Sequence, residues 1–147
     1  MAEPGTEARI GQAGEDYLRA IFKLTDARTP TTTSALAAAL GVSHPSVTSM
    51  VKKLHALQLV AHTPYRGVRL TKQGRGRALA LELTRHHRLL ELYLVERLGV
   101  PKEDVHEEAD RLEHALSETV EGLIATSLGD PVCDPHGDPI PPGGGTP

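Results

Sequence analysis

The stretch HEEADRLEH, residues 106–114, gathers two imidazoles and four carboxylates in nine positions. On a helix turning about 100° per residue, His106, Asp110, Glu113 and His114 stand at i, i+4, i+7 and i+8 and share one side. Val105, Ala109, Leu112 and Leu116 mark an adjacent apolar side that a helix would bury. Oxygen and nitrogen donors beside a buried face suit either a divalent metal ion or a solvated acidic surface. Two further segments bear on that choice. His87 and Glu91 form an i, i+4 donor pair upstream, and Asp16 lies near the start of the chain, so three separate elements could converge on an ion.

Spacing excludes several catalytic alternatives. HEEAD begins like the zinc-protease motif H-E-x-x-H, but Asp110 stands where the second histidine is required. Only one Glu-x-x-His occurs, Glu103 with His106, whereas a di-iron bundle needs two. Cys133 and His136 are spaced like half a zinc site, and no second pair completes it.

The elements that would position these donors follow from caps and periodicity. Glu15 to Leu24 reads as an amphipathic helix, after a loose start. In TTTSALAAALGVSHPSVTSMVKKLHALQLV, Ser34 is a candidate N-cap for a helix to Leu40, Gly41 a left-handed stop, and Ser43 a second N-cap with Pro45 in the first turn. Two helices so joined make a helix-turn-helix. Leu59 to His62, the turn TPYRG and the alternation Val68, Arg69, Leu70 read as a hairpin, the wing that often follows such a unit. Thr71 is placed to cap a long helix reaching about Leu98. Its leucines, including Leu79, Leu83, Leu90, Leu94 and Leu98, form a stripe wide enough to predict a dimer interface. A further helix is expected from Val105 to about Ser127, and then GDPVCDPHGDPIPPGGGTP, too rich in Pro and Gly for regular structure.

Charge is distributed unevenly. The net charge is −3, yet from Ala27 to Leu81 there is no Asp or Glu, while Arg28, Lys52, Lys53, Arg66, Arg69, Lys72, Arg75 and Arg77 all fall there. A polyanion is the natural partner of such a segment. The second helix of the helix-turn-helix offers Ser43, Pro45, Ser46, Thr48 and Ser49 to base edges and phosphates, with Lys52, Lys53 and Arg66 to neutralise the DNA backbone. With 147 residues, a single cysteine and neither a signal-peptide pattern nor an apolar run of membrane-crossing length, the sequence predicts a globular protein of the cytoplasm with no membrane partner. A winged helix sensing an organic ligand without metal, and a small metalloenzyme, are the other functions that this pattern admits.

With these residues assembled, the chain resembles the diphtheria toxin repressor and manganese transport regulator family of metal-dependent transcriptional repressors. The resemblance runs from about Glu15 to Pro141 and rests on EDYLRAI, LGVSHPSVTSMVKKL, RGVRLTKQG, HHRLLE, VHEEADRLEH and DPHGDPIP. It implies a mainly α fold: an N-terminal winged helix-turn-helix with a small β-hairpin wing, followed by an all-helical dimerisation domain. The corresponding divisions are a winged-helix DNA-binding domain over 1–72, a helical metal-binding and dimerisation domain over 73–130 and a Pro/Gly-rich tail over 131–147. The resemblance further implies a homodimer on a palindromic DNA operator, repressing metal uptake genes and having no enzymatic role. It assigns Asp16, Asp110, Glu113 and His114 to a regulatory metal site, and His87, Glu91 and His106 to an ancillary one. Iron-responsive members carry methionine and cysteine where this chain has Asp16 and Asp110, and hard oxygens in their place favour Mn2+ while tolerating Fe2+. Short manganese regulators carry glutamate where Arg19 stands. Many members continue beyond the PHG-PIP segment into a third, SH3-like domain.

Overall fold

The computed structural model describes residues 4–25, 29–72 and 75–143. It contains six α-helices and one β-hairpin, in two compact units, Met1–Leu81 and Glu82–Pro147. The division falls inside a helix, so the first turns of the long leucine-rich segment belong to the N-terminal unit, where Leu79 and Ala80 are buried.

In the first unit, α1 (Pro4–Leu24) starts earlier than the sequence suggests and is interrupted at Gly11, whose φ of 65° no right-handed helix tolerates. Tyr17, Leu18 and Ile21 are its buried stripe. Helix α2 (Thr33–Leu40) is capped by Thr32, whose side-chain oxygen accepts the Ala35 N–H at 3.0 Å, and not by Ser34. Four successive hydroxyl residues could each have served. The local choice coincides with a tertiary one, since the neighbouring Thr31 exchanges backbone hydrogen bonds with Val68 at 3.0 and 2.8 Å. Gly41 closes α2 in the left-handed conformation, and Ser43 caps α3 (His44–Ala56) by accepting the Ser46 N–H. Strands β1 (Val60–Thr63) and β2 (Gly67–Leu70) pair antiparallel, Val60 opposite Leu70. Leu36, Val47, Val51, Leu54, Leu59 and Val68 are all buried, which fixes the two helices and the wing on one core.

The second unit begins within α4 (Gly76–Leu98). Thr71 does not cap this helix at once: its hydroxyl donates to the Gln58 carbonyl at 2.7 Å and accepts the Gly76 N–H at 3.3 Å, so the helix starts five residues later. The single helix expected from Val105 to Ser127 is divided into α5 (Val105–Leu112), a 3₁₀ turn (Glu113–Ala115) and α6 (Glu118–Ser127). Ser117 makes the break by capping α6, accepting the Val120 N–H at 3.1 Å, with Leu116 extended before it. Val105 and Ala109 are buried as predicted, but the tightened turn leaves Leu112 48% exposed.

Two expectations about α4 and the tail are revised. Leu90 and Leu94 do not present a dimer interface: each is 5% exposed and packs in the unit's own core with Val105, Ala109, Ile124 and Ile140. Residues 128–143 form no regular strand or helix, yet they are built into the unit. Ile140 is buried, Cys133 bridges Pro139, and Arg85 and Arg88 donate to the carbonyls of Pro141 and Pro139.

Candidate functional site

Each unit carries one face with chemistry. In the N-terminal unit, Val47, Val51 and Leu54 turn α3 inward, and Ser43, His44, Pro45, Ser46, Thr48, Ser49, Lys52 and Lys53 are all exposed, as is Arg66 on the wing. Arg28 lies outside the described residues. The local hydrogen bonds refine what these groups can offer. Ser43 is occupied by its cap and donates its hydroxyl to Ser46 Oγ at 2.9 Å, leaving the Ser46 O–H available. Thr48 donates to the His44 carbonyl at 3.1 Å, so what it presents outward is an acceptor lone pair and a methyl, the latter suited to a thymine methyl.

In the C-terminal unit, His87 on α4 is the hub of the donor cluster. Its Nδ1 lies 2.9 Å from Glu113 Oε2 and 3.5 Å from Asp110 Oδ1. Its Nε2 lies 3.1 Å from Glu91 Oε1 and 3.1 Å from His106 Nδ1. His106 Nε2 in turn is 3.4 Å from Asp110 Oδ2, and His114 Nε2 is 3.5 Å from Glu113 Oε1. One helical turn separates His87 from Glu91, and one separates His106 from Asp110, so two facing helices each deliver an i, i+4 pair. The 3₁₀ turn then re-aims Glu113 and His114, advancing about 120° per residue where a continued α-helix would advance about 100°.

Two compact ligand sets lie wholly within this unit. His87, His106 and Asp110 offer donors all within 4.8 Å of one another, as do Glu91, Asp134 and His136. The Asp110 carboxylate therefore sits with the imidazoles assigned to the ancillary site as well as next to Glu113. Asp16 belongs to the other unit, half-buried on α1 with Arg19 Nη2 3.6 Å from its Oδ1.

Asp134 and His136 have no part in the sequence-derived ligand assignments. Asp134 is 5% exposed, and its Oδ1 accepts the N–H groups of His136 at 2.8 Å and Asp138 at 2.9 Å, forming a tight turn that sets His136 toward Glu91. The Cys133 and His136 half-site, set aside in the sequence for want of a second pair, does not form either: Cys133 is exposed, while its neighbour Asp134 joins His136 and Glu91. The Asp-x-His spacing was the available signal, but its third member, Glu91, is distant in sequence.

One atom tests whether this donor set fits a cation. Glu91 is 3% exposed, and its Oε2 is buried with no hydrogen-bond partner among the described residues; His106 Nδ1 is 3.7 Å and His136 Nδ1 3.9 Å away. A buried carboxylate oxygen left in this way costs about 1–3 kcal/mol or more, and a cation bound there removes the cost. Carboxylates with imidazoles, and no thiolate among them, form a hard to intermediate donor set that suits Mn2+ or Fe2+.

Comparison with known proteins accords with both faces. Residues 10–68 match the iron-dependent repressor N-terminal DNA-binding domain, and residues 73–142 match the iron-dependent repressor metal-binding and dimerisation domain. The chain belongs to the iron-dependent repressor family. Among family relatives, the iron-dependent repressor IdeR of Mycobacterium tuberculosis is 39% identical over 127 residues, 86% of this chain and 54% of that protein. The solved structure of the manganese regulator SloR superposes with a TM-score of 0.79 at 37% identity, covering 91% of this chain and 61% of SloR. A manganese-dependent transcriptional repressor in complex with manganese gives a TM-score of 0.79 at 40% identity, covering 91% of this chain and 62% of that one. The chain spans about half the length of the curated iron-dependent repressors that it matches. No helix among the described residues is long and apolar enough to cross a membrane.

The electrostatics of this cluster make a pH prediction for the metal-free protein. Burial acts to raise the Glu91 carboxyl, but the His106 and His87 imidazoles beside it outweigh that and hold the group at about 2, against an ordinary 4.5. A depressed carboxylate contributes stability that is present above its ordinary value and lost as pH falls toward the depressed one. The Tm of the metal-free protein should therefore decline between pH 4.5 and about 2. Glu91→Gln should flatten that decline, and equal slopes for the two proteins in thermal melts would show that Glu91 does not cause it.

Proposed function

We propose that the protein is a homodimeric transcriptional repressor activated by a divalent metal ion, Mn2+ with Fe2+ as the alternative, which acts on a palindromic operator controlling metal uptake genes. The observation that carries this reading is the buried oxygen of Glu91, which accepts no hydrogen bond from the described residues, amid imidazole and carboxylate donors, in a chain whose other unit exposes a polar recognition helix. Asp110, Glu113 and His114, together with Asp16 from the DNA-binding unit, would hold the regulatory ion. His87, Glu91 and His106 would hold the ancillary one, with Asp134 and His136 as further ligands.

The ion supplies positive charge and a preference for several oxygen and nitrogen ligands at once. The chain's own residues do the rest. His87 orients Glu113 through the 2.9 Å contact of its Nδ1, which leaves Glu113 Oε1 directed toward His114. Asp16 is the ligand that makes metal binding felt by the DNA-binding unit. Ser46, Thr48 and Ser49 then read base edges while Lys52, Lys53 and Arg66 meet phosphates. By linkage, the factor by which the ion tightens DNA binding is also the factor by which DNA tightens ion binding. Self-association draws on exposed apolar side chains of the second unit, among them Leu98, Val120 and Leu123. Binding to chromosomal DNA sets the protein in the cytoplasm.

The test is a gel-shift series on an operator duplex selected from a random pool, with Mn2+, Fe2+, Co2+, Zn2+ and a chelator. Mn2+ should activate binding and the chelator should reverse it. Asp110→Cys replaces a hard oxygen by a soft sulfur and should move activation from Mn2+ toward Fe2+ or Co2+ by about tenfold in the concentration needed. An unchanged order of metals in that variant, or DNA binding indifferent to chelator, would overturn the reading.

A further inference from the structure

The wing of the N-terminal unit contains a residue that breaks the rules of its own turn. Thr63 and Arg66 close the turn between β1 and β2, with the Arg66 N–H donating to the Thr63 carbonyl at 3.0 Å. Pro64 holds the second position and Tyr65 the third, with φ at +66°. A turn with Pro second and positive φ third ordinarily takes Gly or Asn there, because a Cβ crowds the backbone in that conformation by about 1–2 kcal/mol. No described residue covers the ring of Tyr65 to compensate. Its side chain is fully exposed, at 108% relative accessibility, so the ring packs on no neighbour.

The base beneath the tip is fixed. Val68 is buried and exchanges both backbone hydrogen bonds with Thr31, and at Gly67 an added Cβ would stand 2.4 Å from the Thr31 carbonyl oxygen, so the backbones are as close as glycine permits. A strained, exposed aromatic on a rigid support is organised for a partner, because few of its degrees of freedom remain to be lost on binding. The surroundings specify the partner's charge: Arg66 and Arg69 flank the tip, both exposed, and no acid occurs between Ala27 and Leu81.

We propose that Tyr65 is a DNA contact of the wing: its ring packs on the deoxyribose face of the duplex backbone and its hydroxyl donates to a phosphate oxygen, beside the Arg66 charge. The contact is sequence-independent and largely non-ionic. This inference rests on the DNA-binding reading above, and the experiment separates the two.

A mixed-sequence fluorescent duplex is titrated with the Mn2+-loaded protein across a range of salt concentrations. Tyr65→Gly should weaken binding about tenfold at every salt concentration with an unchanged salt slope, since no cation is removed. Its Tm should equal or exceed the parent's, since glycine adopts positive φ without strain. Tyr65→Phe should retain most of the affinity, losing only the hydroxyl's share. Lys52→Ala serves as the ionic control, weaker and with a slope reduced by about 1. If Lys52→Ala weakens binding and Tyr65→Gly does not, the wing-tip contact is wrong and the DNA reading stands. A lowered slope in Tyr65→Gly would also overturn it, because the loss would then run through Arg66. A parent protein that fails to bind the duplex with Mn2+ overturns both readings.

Discussion

Glu113→Ala should fold, bind DNA weakly, and bind it no better with Mn2+ than with chelator. Glu113 is 6% exposed on the 3₁₀ turn, with one oxygen 2.9 Å from His87 and the other 3.5 Å from His114. It is thus the carboxylate shared between the α4 hub and the end of the HEEADRLEH stretch. Its removal deletes a ligand and frees His87 from its orienting partner, while the apolar core of Leu89, Val105, Ala109 and Ile124 is untouched. A coupling of 1–3 kcal/mol between an effector and DNA corresponds to about 5- to 150-fold in affinity, and all of that should vanish. His114→Ala should behave alike. Anisotropy titrations with and without Mn2+, alongside thermal melts, decide the matter: a Glu113→Ala protein whose DNA affinity still rises on adding Mn2+ would reduce the cluster to a solvated acidic face.

Leu94→Asp should unfold the second unit rather than merely dissociate a dimer. Leu94 is 5% exposed among Leu90, Val105, Ala125 and Ile140. An unpaired carboxylate there loses the apolar burial and must either be desolvated or admit water to the core, at a cost of about 3–5 kcal/mol or more. Domains of this size are stable by about 5–15 kcal/mol in all, so a folded population of the unit would be small or thermally fragile. Leu123→Asp is the contrasting variant. Leu123 is 65% exposed on α6, so the unit should keep its fold and helical circular dichroism while the dimer weakens in sedimentation. A cooperative melt for Leu94→Asp within a few degrees of the parent's would disprove this placement of the core.

The contrast between Leu94 and Leu123 also shows what the sequence could convey. The helix-turn-helix was legible because its signals are local: Gly41 takes the left-handed stop, Ser43 the cap, and Pro45 the first turn, each within a few residues of the feature it creates. The stripe on α4 was legible as apolar but not as to its partner, since periodicity records that a face is covered and not whether the cover is the same chain. The break at Leu116 and Ser117 was hidden by apolar spacing that continues across it, although Ser117, which accepts the Val120 N–H, is a residue type favoured as an N-cap. His87, Glu91, His106, Asp110, Glu113 and His114 were all identifiable from residue type and helical spacing. Their grouping was not, because the 3₁₀ turn changes the angular phase at Glu113 and because Asp134 and His136 reach Glu91 through a loop whose Pro and Gly residues carry no periodic signal.

That loop has a consequence for how the protein is cut or joined in the laboratory. Its composition invites a boundary just after Ser127, with the remainder discarded as spacer. Such a cut would remove Ile140 from the core, leave the Arg85 and Arg88 guanidinium groups without the carbonyls they now bind, and uncover Glu91. A boundary that retains the chain through Gly143 keeps these contacts with α4. In this protein the proline-rich segment is a latch, and a cut made on its near side would open it.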